Sequence, residues 1–259
     1  MSKLLVIDTE VIPDEEMPKA LRPNDEVLKS IACEIVTISY LKATIPTRPG
    51  EAFGIEMLGS LTRQDRTEAA MLADFWKAFG HYQPRLLTWN GRGFDVPVLR
   101  MRSLKHLVTT PWFTLGQNKF ESYAYRYANW HVDLMDVMSD YGGTQRLALD
   151  PTAAALGLPG KIGGHGADVA DMIATGDHEQ CRRYCEADSL NLYGIYLRWL
   201  HVTGALDAKG YKASVMDLAH YLQQHREDEP HYGEFLDAWA EGRAAIEEAA
   251  EAGREPENV

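Results

Sequence analysis

The apolar run LLVI at residues 4–7 predicts a buried strand over Lys3–Glu10. The proline-punctuated, charge-rich stretch from Pro13 through Pro18 to Pro23 predicts a loop or excursion. CEIVTISYL, residues 33–41, is β-branched and apolar and predicts a second strand; Phe53–Leu58 predicts a third. From Thr67 to Tyr82 the period changes: Met71, Leu72, Phe75, Trp76 and Phe79 recur at helical spacing. Arg85–Trp89 reads as a short buried strand and Asp95–Leu107 as a helix, with Pro97 tolerated in its first turn. His131–Leu134 predicts a fifth strand, followed by helices over Met135–Tyr141, Pro151–Leu156, Gly166–Thr175, Glu179–Leu200, Ser214–Gln224 and Glu234–Glu251. Three early strands, then strands mixed with helices, give an α/β class with a mixed sheet of about five strands flanked by helices.

Composition narrows the picture little. The chain has 259 residues, 45% hydrophobic and 25% charged, enough for one large core with a small appendage. No apolar run reaches the ~18 residues of a membrane span, and the N-terminus lacks a signal-peptide pattern. Three cysteines, an odd number, fit a reducing compartment, so a cytoplasmic protein is expected. Cys181 and Cys185 read as ordinary helix-face thiols, and His106, His178 and His201 as surface residues. Net charge is −12, but residues 224–259 hold eleven Asp/Glu against three Arg, leaving −4 on the preceding body. Bound cations would neutralise part of that, so net charge does not exclude a nucleic-acid partner.

Asp8 and Glu10 lie two apart on the first strand and project from one face. Like charges so close raise each other's pKa, which calls for a cation between them. WNGRGFDVPVL, residues 89–99, puts Asp95 at a helix start, where on its own it reads as an N-cap. YCEADSLNLYGIY, residues 184–196, puts Tyr184 and Asp188 on one helix face beside an apolar stripe. Alone, Asp188 could pair with Arg182 or Arg183, or face solvent, as Glu186 is expected to do. Together, four carboxylates from three segments can converge on two divalent ions.

Asp-x-Glu, then Asn-x-x-x-Phe-Asp, then Tyr-x-x-x-Asp, in that order, resembles the DEDD superfamily of 3′–5′ exonucleases. Tyr184 marks its DEDDy branch, since the histidine branch would want His where Arg183 stands. Within that branch the spacing and the stretches HVDLMDVM, LGLPGK and YCEAD resemble the predicted exonucleases related to the proofreading domain of family B DNA polymerases. The resemblance runs from about Leu4 to about Arg198 and implies a ribonuclease H-like fold. It implies an exonuclease domain over residues 1–200, followed by a helical extension with an acidic tail over 201–259.

The resemblance further implies Asp8, Glu10, Asp95 and Asp188 as metal ligands for two ions, Mg²⁺ or Mn²⁺. Tyr184 would orient the attacking water, while Thr9, Asn90 and Phe94 would meet substrate. The implied reaction removes nucleoside 5′-monophosphates from the 3′ end of single-stranded nucleic acid, DNA ahead of RNA. The competing readings are an exoribonuclease and a non-catalytic binding scaffold; any protein partner is unspecified. The loop GLPGKIGGHG places Lys161 and His165 as candidates to line a substrate channel. NKFESYAYRYANWHVDL, residues 118–134, mixes aromatic and basic residues that could stack bases, or could pack one face inward as a hairpin. The resemblance does not use Asp133 and Asp136 as metal ligands, so they are expected in structural roles or behind the ligands.

Overall fold

A computed structural model describes residues 2–21, 29–114, 120, 122–162, 164 and 166–252. β1 (Lys3–Pro13) is the central strand of a five-stranded sheet ordered β3-β2-β1-β4-β5. β2 (Cys33–Thr44) and β3 (Gly54–Thr62) extend it antiparallel on one side. α1 (Glu68–Tyr82) crosses over to β4 (Arg85–Thr88), which runs parallel to β1. α2 (Asp95–Lys105) and α3 (Pro111–Thr114) lead to β5 (His131–Asp133), parallel to β4. Then come α4 (Leu134–Met138), α5 (Leu149–Ala155), α6 (Val169–Ala174), α7 (His178–Val202), α8 (Ala208–His225) and α9 (Pro230–Ala252). No helix among the described residues is long and apolar enough to cross a membrane.

Strand alternation divides β1 between two cores. Leu4 and Val6 enter a cluster with Leu190, Tyr193 and Ile195 of α7. Leu5 and Ile7 face the other way, into a cluster built from Phe75, Phe79 and Leu99 of α1 and α2. Asp8 and Glu10 continue the first face, Thr9 the second. Small polar side chains on β2 let α7 lie close to the sheet: Ser39 Oγ donates to Cys185 O at 2.9 Å, and Thr37 meets Cys181. β4 pairs with β1 only at Leu4, Leu5 and Val6, so the stretch carrying Asp8 and Glu10 has no β4 neighbour.

α8 and α9 form a third layer. They add Leu218, Leu222, Tyr232 and Phe235 to the cluster that holds Leu4 and Val6. α8 also caps the edge strand: Asp217 and Tyr221 accept the amides of Ile55 and Leu58 at 2.7 and 3.1 Å. Satisfying those amides removes a template for edge pairing.

Several sequence expectations shift. α8 starts six residues before Ser214, because Asp207 caps it by accepting from Gly210 N. α4 stops at Met138, where Asp140 and Tyr141 adopt positive φ of 49° and 57°. No hairpin forms among the described residues of 111–130. Arg92 donates to the carbonyls of Tyr123, Tyr125 and His131, which satisfies that backbone without a strand ladder. Tyr123 does turn inward, its hydroxyl donating to Pro84 O at 2.6 Å and its ring stacking on Phe113. Lys119 lies outside the described residues. Nor are the histidines simple surface groups: His106 bonds Glu68 at 2.7 Å, and His201 stacks on Tyr211. His131 and His231, which the sequence did not single out, are buried.

Candidate active site

Asp8 and Glu10 stand half-buried at the open end of β1, beyond its last pairing with β4. The turn after β4 brings the next carboxylate to them. Asn90, at φ 60°, begins this turn, and the amides of Asn90 and Arg92 both donate to Asp133 at 2.9 Å. Asp133 thereby ties the turn to β5, and it also caps α4 by accepting from Asp136 N. Asp136 pairs with Arg126 and Arg146, so both acids hold structure. A Cβ at Gly91 would collide with Thr88, which is why the turn can close so tightly there.

Asp95 does not act as an N-cap. Phe94 occupies that position without a side-chain bond, and Asp95 is the first residue of α2. Its buried carboxylate accepts the Thr9 hydroxyl at 2.7 Å, and the backbone amides of Asp95 and Thr9 favour its charged form. The helix N-terminus behind it favours negative charge. The Phe94 ring, 38% exposed, projects beside it.

α7 delivers the third group. Tyr184 and Asp188 share one face, and the Tyr184 hydroxyl beside the Asp188 carboxylate favours its charged form. One residue along, the Cys185 thiol donates to Asp8 Oδ2 at 3.3 Å. Neither Arg182 nor Arg183 pairs with Asp188: Arg182 pairs with Glu179, Glu186 and Glu229, and Arg183 with Glu179. Glu186 is fully buried rather than solvated, and of the two outcomes expected for it the ion pair to Arg182 is the one that forms. Its carboxylate accepts from Ser60, Arg182, His231 and Tyr232, joining α7 to β3 and α9.

The four carboxylates feel one another. Burial, then Glu10, Asp188 and Asp95, push the Asp8 carboxyl well above its ordinary range. Glu10 is raised by burial, then by Asp188 and Asp95, with Lys161 opposing. Burial lifts Asp95 to about 6. Asp188 rises to about 7, again through burial, against the Tyr184 hydrogen bond and the charge of Lys161. Asp150 steadies the segment bearing Lys161 by accepting its amide at 2.8 Å. His165 lies outside the described residues.

Such a set fits a hard divalent cation. It offers carboxylate oxygens with one ammonium, Lys161, acting on them among the described residues, and the crowded oxygens are destabilised until positive charge arrives. Donor atoms of Asp8, Glu10 and Cys185 all lie within 4.8 Å of one another. The sequence had placed Asp8, Glu10, Asp95, Tyr184 and Asp188 together; here Asp95 and Asp188 act on Asp8 and Glu10 by charge, while the donor atoms within 4.8 Å come from Asp8, Glu10 and Cys185. It had not placed Cys185 or the Thr9 hydroxyl in the cluster. For Cys185 a signal existed: Cys181, Cys185 and Ser189 form an i, i+4, i+8 row flanking the Tyr184–Asp188 face.

Residues 25–239 match a family described as predicted 3′–5′ exonucleases related to the exonuclease domain of PolB. β1, with Asp8 and Glu10, precedes that span. No curated protein sequence matches the chain. Among solved structures, it is similar to the family B DNA polymerase of the hyperthermophilic archaeon Pyrobaculum calidifontis, with a TM-score of 0.52 at 16% identity. The likeness covers 88% of this chain and 29% of the polymerase chain, and it is one of fold. The mixed sheet with helices on both faces is thus the ribonuclease H-like fold of a PolB exonuclease domain. With 215 of its residues inside the matched span, the chain belongs to the family of predicted 3′–5′ exonucleases related to the exonuclease domain of PolB.

Proposed function

We propose that this chain is a DEDDy-type, metal-dependent 3′–5′ exonuclease. Its substrate is single-stranded nucleic acid, DNA ahead of RNA, and its products are nucleoside 5′-monophosphates. One observation carries the reading: carboxylates from three distant segments stand close enough that Asp95 and Asp188 raise Asp8 and Glu10, with the Tyr184 hydroxyl beside Asp188. Kinship with PolB, a DNA polymerase, favours DNA. Catalysis is assigned to residues 1–200, with 201–259 as a helical extension. Three free cysteines fit a cytoplasmic location.

Asp8, Glu10 and Asp188 would hold one Mg²⁺ or Mn²⁺, and Asp8 with Asp95 a second. When bound, such ions neutralise phosphodiester charge and lower the pKa of water. The chain's own groups do the rest. Water adds to phosphorus, the bond to the 3′ oxygen of the preceding nucleotide breaks, and that oxygen leaves with a proton. Burial, with Asp188 and Glu10 beside it, raises the Tyr184 hydroxyl far above its ordinary range, so it keeps its proton. It therefore orients the attacking water by hydrogen bonding and does not act as a base. Lys161 reaches Glu10 and Asp188 by charge and can meet the phosphate they face. Thr9 fixes Asp95, and the exposed Phe94 ring with Asn90 shapes the groove for the terminal nucleotide.

The test uses 5′-labelled single strands, one DNA and one RNA, with Mn²⁺, Mg²⁺ or EDTA. Wild type is expected to give a metal-dependent ladder shortening from the 3′ end, faster on DNA, and Asp188→Ala none. Bound but intact strands in every metal would sink the catalytic reading, and a faster RNA ladder would reassign the sugar.

A further inference from the structure

Away from the carboxylates, a cleft of about 450 Å³ opens where the second half of α7 meets α8 and α9. Its cations are Arg198, Lys212 and Arg243, and no acidic side chain lines it among the described residues. In a chain of net charge −12 that concentration of positive charge is local and directional. Arg198 is half-buried, and neither it nor Lys212 has an ion pair or hydrogen bond among the described residues. A partly desolvated guanidinium without a counter-charge is costly, and a ligand carboxylate would relieve that cost.

The floor says what else the ligand carries. Leu156, Val215 and Trp239 form it, and Met216, 61% exposed, overhangs it. Leu156, Val215 and Met216 are aliphatic and thioether surfaces that adapt to an inserted apolar side chain. A stacking platform for bases would need open aromatic faces. Trp239 is 8% exposed, and one face of Tyr211 is taken by His201, parallel within 12° at 4.9 Å. Arg198 also sits ten residues past Asp188, about 15 Å along the helix, so the cleft is separate from the carboxylate cluster. We propose that this cleft docks an acidic segment of another protein, its apolar side chain seated on Leu156, Val215 and Met216 and its carboxylates on Arg198 and Lys212, with Arg243 adding to the positive field of the cleft.

The probe is a fluorescein-labelled nonapeptide of Asp and Glu around two leucines and a phenylalanine, followed by anisotropy with the full chain. Binding is expected, weakening as salt rises. It should fall about tenfold in Lys212→Glu and again in Arg243→Glu, both exposed positions, and to a similar degree when serines replace the apolar residues of the peptide. The strand-shortening ladder should be unchanged in both variants. Absence of binding at low salt, equal binding to both variants, or indifference to the serine replacement would each overturn the proposal. Oligothymidylate binding that shows the same loss in Lys212→Glu would hand the cleft to nucleic acid instead.

Discussion

The Thr9 hydroxyl gives Asp95 a side-chain donor beside the backbone amides that also favour its charge. Asp95 starts a helix on one side of the sheet, while Asp8 and Glu10 point to the other, and the Thr9 hydroxyl spans the gap at 2.7 Å. Thr9→Val keeps the shape and deletes the hydroxyl donor, which loosens the orientation of Asp95. On the proposed activity, the strand-shortening rate should drop by about tenfold or more, with Thr9→Ser near wild type. Equal rates in all three would remove Thr9 from the machinery. Asp188 supports a second test. Its folded carboxyl titrates at about 7 against an ordinary 3.8, so the folded chain binds the proton more tightly. Its contribution to stability is therefore full below about 4 and is lost as pH rises toward 7. In metal-free protein, Asp188→Asn should melt higher than wild type at pH 7.5 and equal to it near pH 4, and divalent metal should narrow the gap at pH 7.5 by stabilising wild type. A gap independent of pH would contradict the raised pKa. The five grouped residues were legible because their chemistry is written in residue type and order. The Thr9 bond was not, since Thr between two acids looks the same whichever way its hydroxyl turns.

Elements were readable where their period was strong and blurred where the decisive partner lies far along the chain. α1 and α7 follow their apolar spacing closely. The path after β1 depends instead on Arg102, which is 1% exposed and donates to Asp14, to both oxygens of Glu68 and to the Ile31 carbonyl. These partners are 88, 34 and 71 residues away, and no local pattern links them. The cluster pins the end of β1 to α1 and α2. Its balance of charge is close: Lys105 also reaches Asp14, and His106 reaches Glu68. Arg102→Met would leave two buried carboxylates short of their main counter-charge. A loss of about 3 kcal/mol is expected in urea unfolding at pH 7, shrinking in acid as Asp14, held down to about 2 by Lys105 and Arg102 against burial, takes up its proton. A loss under about 1 kcal/mol, the range of exposed pairs, would mean that the cluster is solvated in solution.

At the scale of the whole molecule, α7 joins two systems back to back. One face carries Tyr184, Cys185 and Asp188 toward the sheet; Glu186 on the same helix turns to α9 and meets His231 at 2.8 Å and Tyr232 at 3.2 Å. α9 also lends Tyr232, Phe235 and Trp239 to the cluster that packs on Leu4 and Val6 of β1. The stiffness of the carboxylate site should therefore depend on helices that contribute nothing to its chemistry. His231→Ala removes one donor from a buried carboxylate that keeps three others, and about 1–3 kcal/mol of stability should go with it. The unfolding should stay cooperative, with an unchanged denaturant slope. Ending the chain after Glu229 takes away two of the four donors to Glu186 and the apolar cover of β1 together. That chain should lose its cooperative transition and bind an apolar dye such as ANS. Cooperative melting of the shortened chain, with metal-dependent strand shortening intact, would show instead that α9 is a detachable layer and that α7 holds the site with the sheet and α8 alone.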